Sequence, residues 1–165
     1  MENMEAAMTL TSPAFENGGI IPAKYTCDGN RELSPPLSIA GVPEGAKSLA
    51  LVMDDPDIPV VVRESRGISA FDHWVLYNIP PVRAMEIPEG GSVGIIGRNS
   101  IGAAAYTGPC PPPEYEPSEH RYVFVLYALS GMLDFAQPPT KAELVAAIAP
   151  LLIEKTTLIG RYSRK

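Results

Sequence analysis

The sequence predicts a mainly β protein, an antiparallel sandwich with short helices at its C-terminal end. Three stretches, residues 48–53, 74–79 and 122–129, are short apolar runs that end at turn-forming residues, which is typical of strands. The run 122–129 (YVFVLYAL) is apolar on both alternating faces, so we expect it to be covered on two sides inside a sheet. The connecting segments lack a strong helical period, which disfavours parallel winding and favours an antiparallel sheet.

Two weaker strand candidates precede these, at residues 8–11 and 24–27. The C-terminal region has a different pattern. Thr140, followed by Glu143 three positions later, is a capping-box signature that predicts a helix over residues 141–148.

Beyond this helix, Pro150 predicts a kink or the start of a second helix, because proline disrupts the helix interior. The apolar spacing of residues 151–158 predicts that helical structure continues there. Gly160 is then expected to end it.

The length of 165 residues indicates a single domain over residues 1–165, with residues 1–7 as a loose N-terminal tail. A net charge of −6 gives no electrostatic footprint for nucleic acid, and polybasic segments for anionic membranes are missing. We expect neither stable membrane insertion nor a signal peptide, since no apolar run approaches about 18 residues. A cytoplasmic location is therefore predicted. Cys27 and Cys110 are expected to be two buried thiols rather than a disulfide.

Polar residues cluster where three predicted core strands begin or end. The two histidines of the sequence, His73 and His120, each stand at the start of a strand, and the acidic segment 54–57 follows another strand. Strand ends of a rigid sheet present side chains to solvent, so the three clusters are expected to converge on one rim. Each cluster alone is also typical of an ordinary turn or of a half-buried histidine.

The order of these motifs along the chain carries more information than any one of them. The sequence contains Asp-Pro-Asp-Ile-Pro at 55–59, His-Trp-Val-Leu-Tyr-Asn-Ile-Pro at 73–80, Tyr-Thr-Gly at 106–108, Pro-Pro at 111–112 and His-Arg-Tyr-Val-Phe at 120–124. In this order they resemble the signatures of the phosphatidylethanolamine-binding protein family, in particular its bacterial and archaeal Raf-kinase-inhibitor-like branch. The resemblance spans nearly the whole chain.

The resemblance implies a β-sandwich of two sheets with a cavity at one end that binds small anions and phosphorylated headgroups. It implies a regulatory binding protein rather than an enzyme, without a cofactor, that modulates a kinase or inhibits a serine protease. A homodimer is expected by analogy with bacterial relatives. Carried over by position, the site residues are Asp55, Asp57, Pro59, His73, Tyr106, Gly108, Pro111 and His120.

The chemistry of these residues agrees with an anion site. The imidazoles of His73 and His120 and the Tyr106 hydroxyl can donate hydrogen bonds to an anion. Asp55 and Asp57 suit a supporting role, in which a carboxylate holds an imidazole in one tautomer and favours its protonated form. We therefore predict that phosphate binding weakens as pH rises through the histidine range.

Two alternatives stay open on the sequence. A hydrolase with a His/Asp acid–base pair lacks a recognisable nucleophile motif, and Ser100 has no supporting context. A metal site of two histidines and two aspartates has suitable ligand types but no closely spaced histidine pair. The insertion at residues 60–70 is expected to be a lid or an interface, and the acidic loop 113–119 is expected near the mouth of the cavity.

Overall fold

The computed structural model describes residues 7–164 and arranges them as two antiparallel β-sheets. In chain order the strands are β1 (Thr9–Thr11), β2 (Leu37–Ala40), β3 (Ser48–Asp55), β4 (Phe71–Ile79), β5 (Ala84–Ile87), β6 (Ile95–Ile96), β7 (Glu119–Leu129) and β8 (Leu152–Ser163). The small sheet has the order β1-β2-β5 and the large sheet the order β6-β4-β3-β7-β8. The predicted fold class is confirmed.

Helices are short and lie outside the sheets. They are α1 (Val60–Arg66), α2 (Lys141–Ile148) and two 3-10 helices, Ala23–Tyr25 and Ala149–Leu151. No helix in the described part of the chain has the length and apolar character needed to cross a membrane. The expected loose tail falls, apart from Ala7, outside the described residues.

The large sheet is buried on both faces, as the apolar character of its strands predicts. On β3, Leu49, Leu51 and Met53 belong to the core between the two sheets, whereas Ala50 and Val52 pack on the opposite face. That opposite face is covered by α2 through Leu144 and Ile148. Because side chains alternate along a strand, one apolar run supplies both layers. The sheet is therefore a rigid support for the residues at its ends.

The capping box that the sequence predicts for α2 is present: the Thr140 hydroxyl accepts from the Glu143 amide, and the Glu143 carboxylate accepts from the Thr140 amide. The continued helix over residues 151–158 is wrong. Apart from Leu151, which ends a 3-10 helix, this segment lies in β8, which pairs with β7 from Leu129↔Leu152 to Glu119↔Ser163. The long edge of β7 offers more backbone hydrogen bonds than an isolated helical turn does, so pairing overrides the local apolar spacing.

The prediction that Gly160 ends a helix is wrong, because Gly160 lies within β8 and packs against Ile21. A Cβ at position 160 would come within 2.5 Å of the Ile21 side chain, so close packing requires glycine here. The strand expected at residues 24–27 is also wrong, since a 3-10 helix occupies Ala23–Tyr25. Sequence patterns missed β2, β5 and β6, which are only two to four residues long.

Candidate ligand-binding site

A cavity of about 210 Å³ opens at one end of the large sheet, where β3 ends and β4 and β7 begin. Antiparallel pairing brings these ends together: Asp55 pairs with Phe71 on β4, and Asp54 pairs with Val123 on β7. Six of the eight predicted site residues line the cavity: Asp55, Pro59, His73, Gly108, Pro111 and His120. The strand-end convergence expected from the sequence is therefore present.

His120 and Asp55 form a buried pair in the cavity wall. Nδ1 of His120 lies 2.6 Å from Oδ2 of Asp55, and the two residues are 1% and 4% exposed. The other carboxylate oxygen, Oδ1, accepts the amide of Asp57 at 2.8 Å. Since a carboxylate only accepts, Nδ1 carries the proton and Nε2 is left on the opposite ring edge. That Nε2 atom is buried and has no hydrogen-bond partner among the described residues.

His73 enters the cavity through an irregularity in β4. The register steps from Met53↔Trp74 to Asp54↔Asp72, so His73 is an extra, bulged residue on this strand. Its Nδ1 donates to the Thr107 carbonyl at 2.7 Å, which makes Nε2 the ring nitrogen available to a ligand. Burial lowers the pKa of His73 below its usual value, more than the Thr107 hydrogen bond and nearby carboxylates raise it.

Aromatic contacts fix the orientation of both imidazoles. The His73 ring packs between Phe71, at 4.8 Å between centroids, and Tyr122, at 5.3 Å. The His120 ring stacks on Tyr122, with 6.3 Å between the two ring centroids. Burial raises the pKa of Tyr122, whose hydroxyl also has no hydrogen-bond partner in residues 7–164. Tyr122 thus packs against both histidines, although the sequence indicated it only as part of a strand and of the motif at 120–124.

Asp57 does not line the cavity, contrary to the expectation. Its carboxylate takes two hydrogen bonds from the Arg121 guanidinium, at 2.9 and 2.8 Å, and a third from the Arg121 amide at 2.9 Å. These contacts hold the pKa of Asp57 below its usual value. The turn after β3 separates the two aspartates, so that only Asp55 supports an imidazole. The role of Asp57 is to tie that turn to β7.

Tyr106 is the second predicted residue that lies outside the cavity lining. Its hydroxyl donates to the Tyr25 carbonyl at 2.9 Å, and its ring packs edge-on against Trp74 at 5.3 Å. Burial raises its pKa well above the usual value. The hydroxyl is thus already used within the fold. The motif still shapes the cavity through Gly108, where a Cβ would come within 2.3 Å of the Tyr25 carbonyl oxygen.

The expectation of two separate thiols is wrong, because Cys27 and Cys110 form a disulfide with a Cα–Cα distance of 5.4 Å. They are 83 positions apart, and only the fold brings their segments together. The Cys27 amide donates to the Pro109 carbonyl at 3.1 Å, and the Gly108 amide donates to the Arg31 carbonyl at 2.8 Å. Cys110 itself lines the cavity, so the disulfide ties this part of the lining to the segment around Cys27.

Sequence analysis missed several residues of the lining. Arg31 and Arg66 contribute two positive charges, and the remaining contacts are mostly apolar: Ile58, Val62, Phe71, Thr107 and Pro112. The sequence did draw attention to Arg66, because it stands in the insertion at 60–70. Most of this insertion folds as α1, which is capped by Gly67 with a φ of 66°. The sequence does not indicate that α1 lies against the cavity.

The acidic loop differs from the expectation as well. None of the glutamates at positions 114, 116 and 119 is among the described residues that line the cavity, and Glu119 pairs with Arg161 at 2.8 Å. Within residues 7–164, no group of three or more histidine, cysteine, aspartate or glutamate side chains is arranged to hold a metal ion.

These features define a class of protein, a two-sheet β-sandwich with a small cavity at the end of its larger sheet. The family model described as phosphatidylethanolamine-binding protein matches residues 11–163. The chain belongs to the phosphatidylethanolamine-binding protein family.

Relatives of known sequence and structure agree with this assignment. A UPF0098 protein of Methanothermobacter thermautotrophicus is 41% identical, over 95% of this chain and 99% of its own. A phosphatidylethanolamine-binding protein homolog, CT736 from Chlamydia trachomatis, has a crystal structure that matches with a TM-score of 0.86. It is 41% identical and covers 96% of this chain and 99% of its own. YbcL of E. coli, at 26% identity, matches with a TM-score of 0.81 over 97% of this chain and 100% of its own.

Proposed function

We propose that this protein binds a small anion, phosphate or a phosphorylated headgroup, in the cavity at the end of the large sheet. The observation that carries the proposal is the buried Nε2 atom of His120, which has no partner in the described chain although its ring lines the cavity. A buried polar atom without a hydrogen bond is unfavourable by about 1–3 kcal/mol. A ligand removes this penalty if a hydroxyl of the ligand donates to Nε2, or if Nε2 is protonated and donates to a ligand oxygen.

The two histidines of the cavity are the proposed hydrogen-bond donors to the anion, and Asp55 supports one of them. His120 and His73 have their Nδ1 atoms committed to Asp55 and to the Thr107 carbonyl, so a bound proton is added at Nε2. Each protonated ring then donates one charge-assisted hydrogen bond to an anion. Asp55 supports the His120 imidazole, and both of its oxygens already accept hydrogen bonds within the protein.

The geometry of the cavity favours ligand binding without turnover over the hydrolase alternative. Ser100, the nucleophile considered from the sequence, accepts the Asp72 amide at 2.7 Å and lies outside the cavity lining. The Asp55 carboxylate is not free to act as a nucleophile, because one of its oxygens accepts from His120 and the other from the Asp57 amide. We propose that the protein is not an enzyme. A screen of ester and phosphoester substrates, with His120→Ala as the comparison, tests this directly, and turnover that depends on His120 would contradict it.

The regulatory role and the partner are part of the same proposal. A structurally similar protein, carboxypeptidase Y inhibitor, was crystallised with its cognate proteinase, but at 19% identity and a TM-score of 0.53 the likeness concerns the fold alone. We propose a kinase or a serine protease as the partner class and a homodimer as the assembly. Inhibition assays and light scattering check these two points, and a monomer at micromolar concentration would contradict the dimer.

An NMR titration with inorganic phosphate tests the binding proposal. The sequence holds only two histidines, so the imidazole signals of His73 and His120 are assigned by replacing either one. We expect both signals to shift together and to saturate with one affinity. Arg83→Ala, an exposed residue outside the cavity, serves as the control and should leave the curve unchanged. Signals that stay fixed up to tens of millimolar phosphate would refute the proposal.

A further inference from the structure

The cavity has an apolar side that phosphate alone does not use. Ile58 and Val62 come from the turn after β3 and from α1, Phe71 from the start of β4, and Pro111 and Pro112 from the loop before β7. Ile58 and Pro111 are buried, and the other three are partly exposed to the cavity. An inorganic ion gains nothing from this surface, because apolar area is favourable only when a ligand covers it.

Two arginines supply positive charge to the same cavity from different segments. Arg66 is held at the end of α1, where its guanidinium donates to the Ser100 carbonyl at 2.9 Å and lies 5.6 Å from the Phe71 ring centroid. The backbone of Arg31 is fixed by the Gly108 amide, which donates to its carbonyl. Both arginines are exposed at the mouth, and neither forms an ion pair with another described residue.

The cavity offers little to a positively charged substituent. Asp55 is the one carboxylate among the described lining residues, and its oxygens are occupied by His120 and by the Asp57 amide. An ammonium group carried by the ligand would therefore meet two guanidinium groups and an apolar wall. Burying such a charge without a partner is strongly unfavourable.

From this division of the lining we propose that the preferred ligand is a small phosphate monoester with an uncharged apolar substituent, an aryl or short branched alkyl group. Arg31 and Arg66 are the residues that select its charge. The inference rests on the proposed anion site and adds to it the class of ligand. A cavity of about 210 Å³ is smaller than most sites for drug-sized molecules, which confines the substituent to roughly one ring.

Three probes separate this inference from the proposal beneath it: inorganic phosphate, phenyl phosphate and phosphorylethanolamine, each titrated calorimetrically at pH 6. We expect phenyl phosphate to bind at least about tenfold more tightly than inorganic phosphate, through burial of its ring. Phosphorylethanolamine should bind no more tightly than inorganic phosphate. Arg31→Ala and Arg66→Ala should each weaken all three probes several-fold, whereas Arg83→Ala should change none.

A conservative variant tests the apolar wall by itself. Val62→Thr keeps the shape of a partly exposed side chain on α1 but makes it polar, so it should weaken the binding of phenyl phosphate more than the binding of inorganic phosphate. Equal affinities for phosphate and phenyl phosphate would overturn the inference and leave the anion site intact. A preference for phosphorylethanolamine, or arginine variants that bind normally, would overturn it as well. Failure of every probe to bind would overturn both proposals.

Discussion

Anion binding at this site should depend on pH through His73. In the ligand-free protein burial lowers the pKa of His73 below its usual value of about 6.5, so its ring is neutral at pH 7. A neutral ring that donates from Nδ1 to the Thr107 carbonyl presents Nε2 as an acceptor, which repels an anion oxygen. Binding must therefore take up a proton at Nε2.

The magnitude follows from counting protons. For each proton taken up on binding, the affinity falls about tenfold per pH unit once the pH lies above the pKa of the ligand-free group. Sulfate is the appropriate probe, because it stays a dianion across this range and contributes no titration of its own. From pH 6.5 to 7.5 we expect about tenfold weaker binding, because His73 takes up one proton when sulfate binds.

Calorimetry with sulfate between pH 5.5 and 8, in two buffers of different ionisation enthalpy, measures the affinity and the proton uptake separately. His73→Asn keeps a polar side chain but cannot titrate, so it should reduce the slope by one proton. An affinity that is constant over this range, or a slope unchanged in His73→Asn, would refute the reasoning.

The same pKa shift sets the direction of the stability change without ligand. The unfolded chain binds a proton at position 73 more readily than the folded protein does, because the folded pKa is the lower one. The contribution of His73 to stability is therefore present above about pH 6.5 and is lost as the pH falls towards the folded pKa. Urea denaturation at pH 7.5 and 5.5 checks this, and His73→Asn should lack this part of the difference.

Three further predictions concern stability. The Cys27–Cys110 disulfide closes a loop of 83 positions, so replacing both cysteines with serine should lower the free energy of unfolding by about 4–5 kcal/mol, and an unchanged urea midpoint would contradict this. Thr140→Ala should cost about 1 kcal/mol through loss of the α2 cap, whereas an unchanged melting temperature would argue against the capping role. Tyr106→Phe should lower the free energy of unfolding by about 0.5–1.5 kcal/mol, since the Tyr25 carbonyl loses its donor. Phosphate affinity should be unchanged because the hydroxyl lies outside the cavity, and weaker binding would contradict that placement.

The sequence alone determined the β class of the fold and the convergence of Asp55, His73 and His120. The β class depends on local pattern, since apolar runs mark the core strands. The convergence was expected because antiparallel pairing places the end of one strand beside the start of its partner. The α2 cap was predictable for the same reason, since its hydrogen bonds join residues three positions apart. The resemblance to the family identified the remaining motif positions.

Which of these side chains reach the cavity, and which other residues surround it, depends on contacts between distant segments. Asp57 and Tyr106 have partners from distant segments, Arg121 and Tyr25, which compete for the groups that the motif offers. Residues 152–158 form a strand instead of the expected helix because they pair with the edge of β7, whose backbone groups would otherwise lack hydrogen bonds to a neighbouring strand. The disulfide, the position of α1 and the two arginines at the mouth likewise depend on contacts between segments far apart in sequence, which no local pattern records.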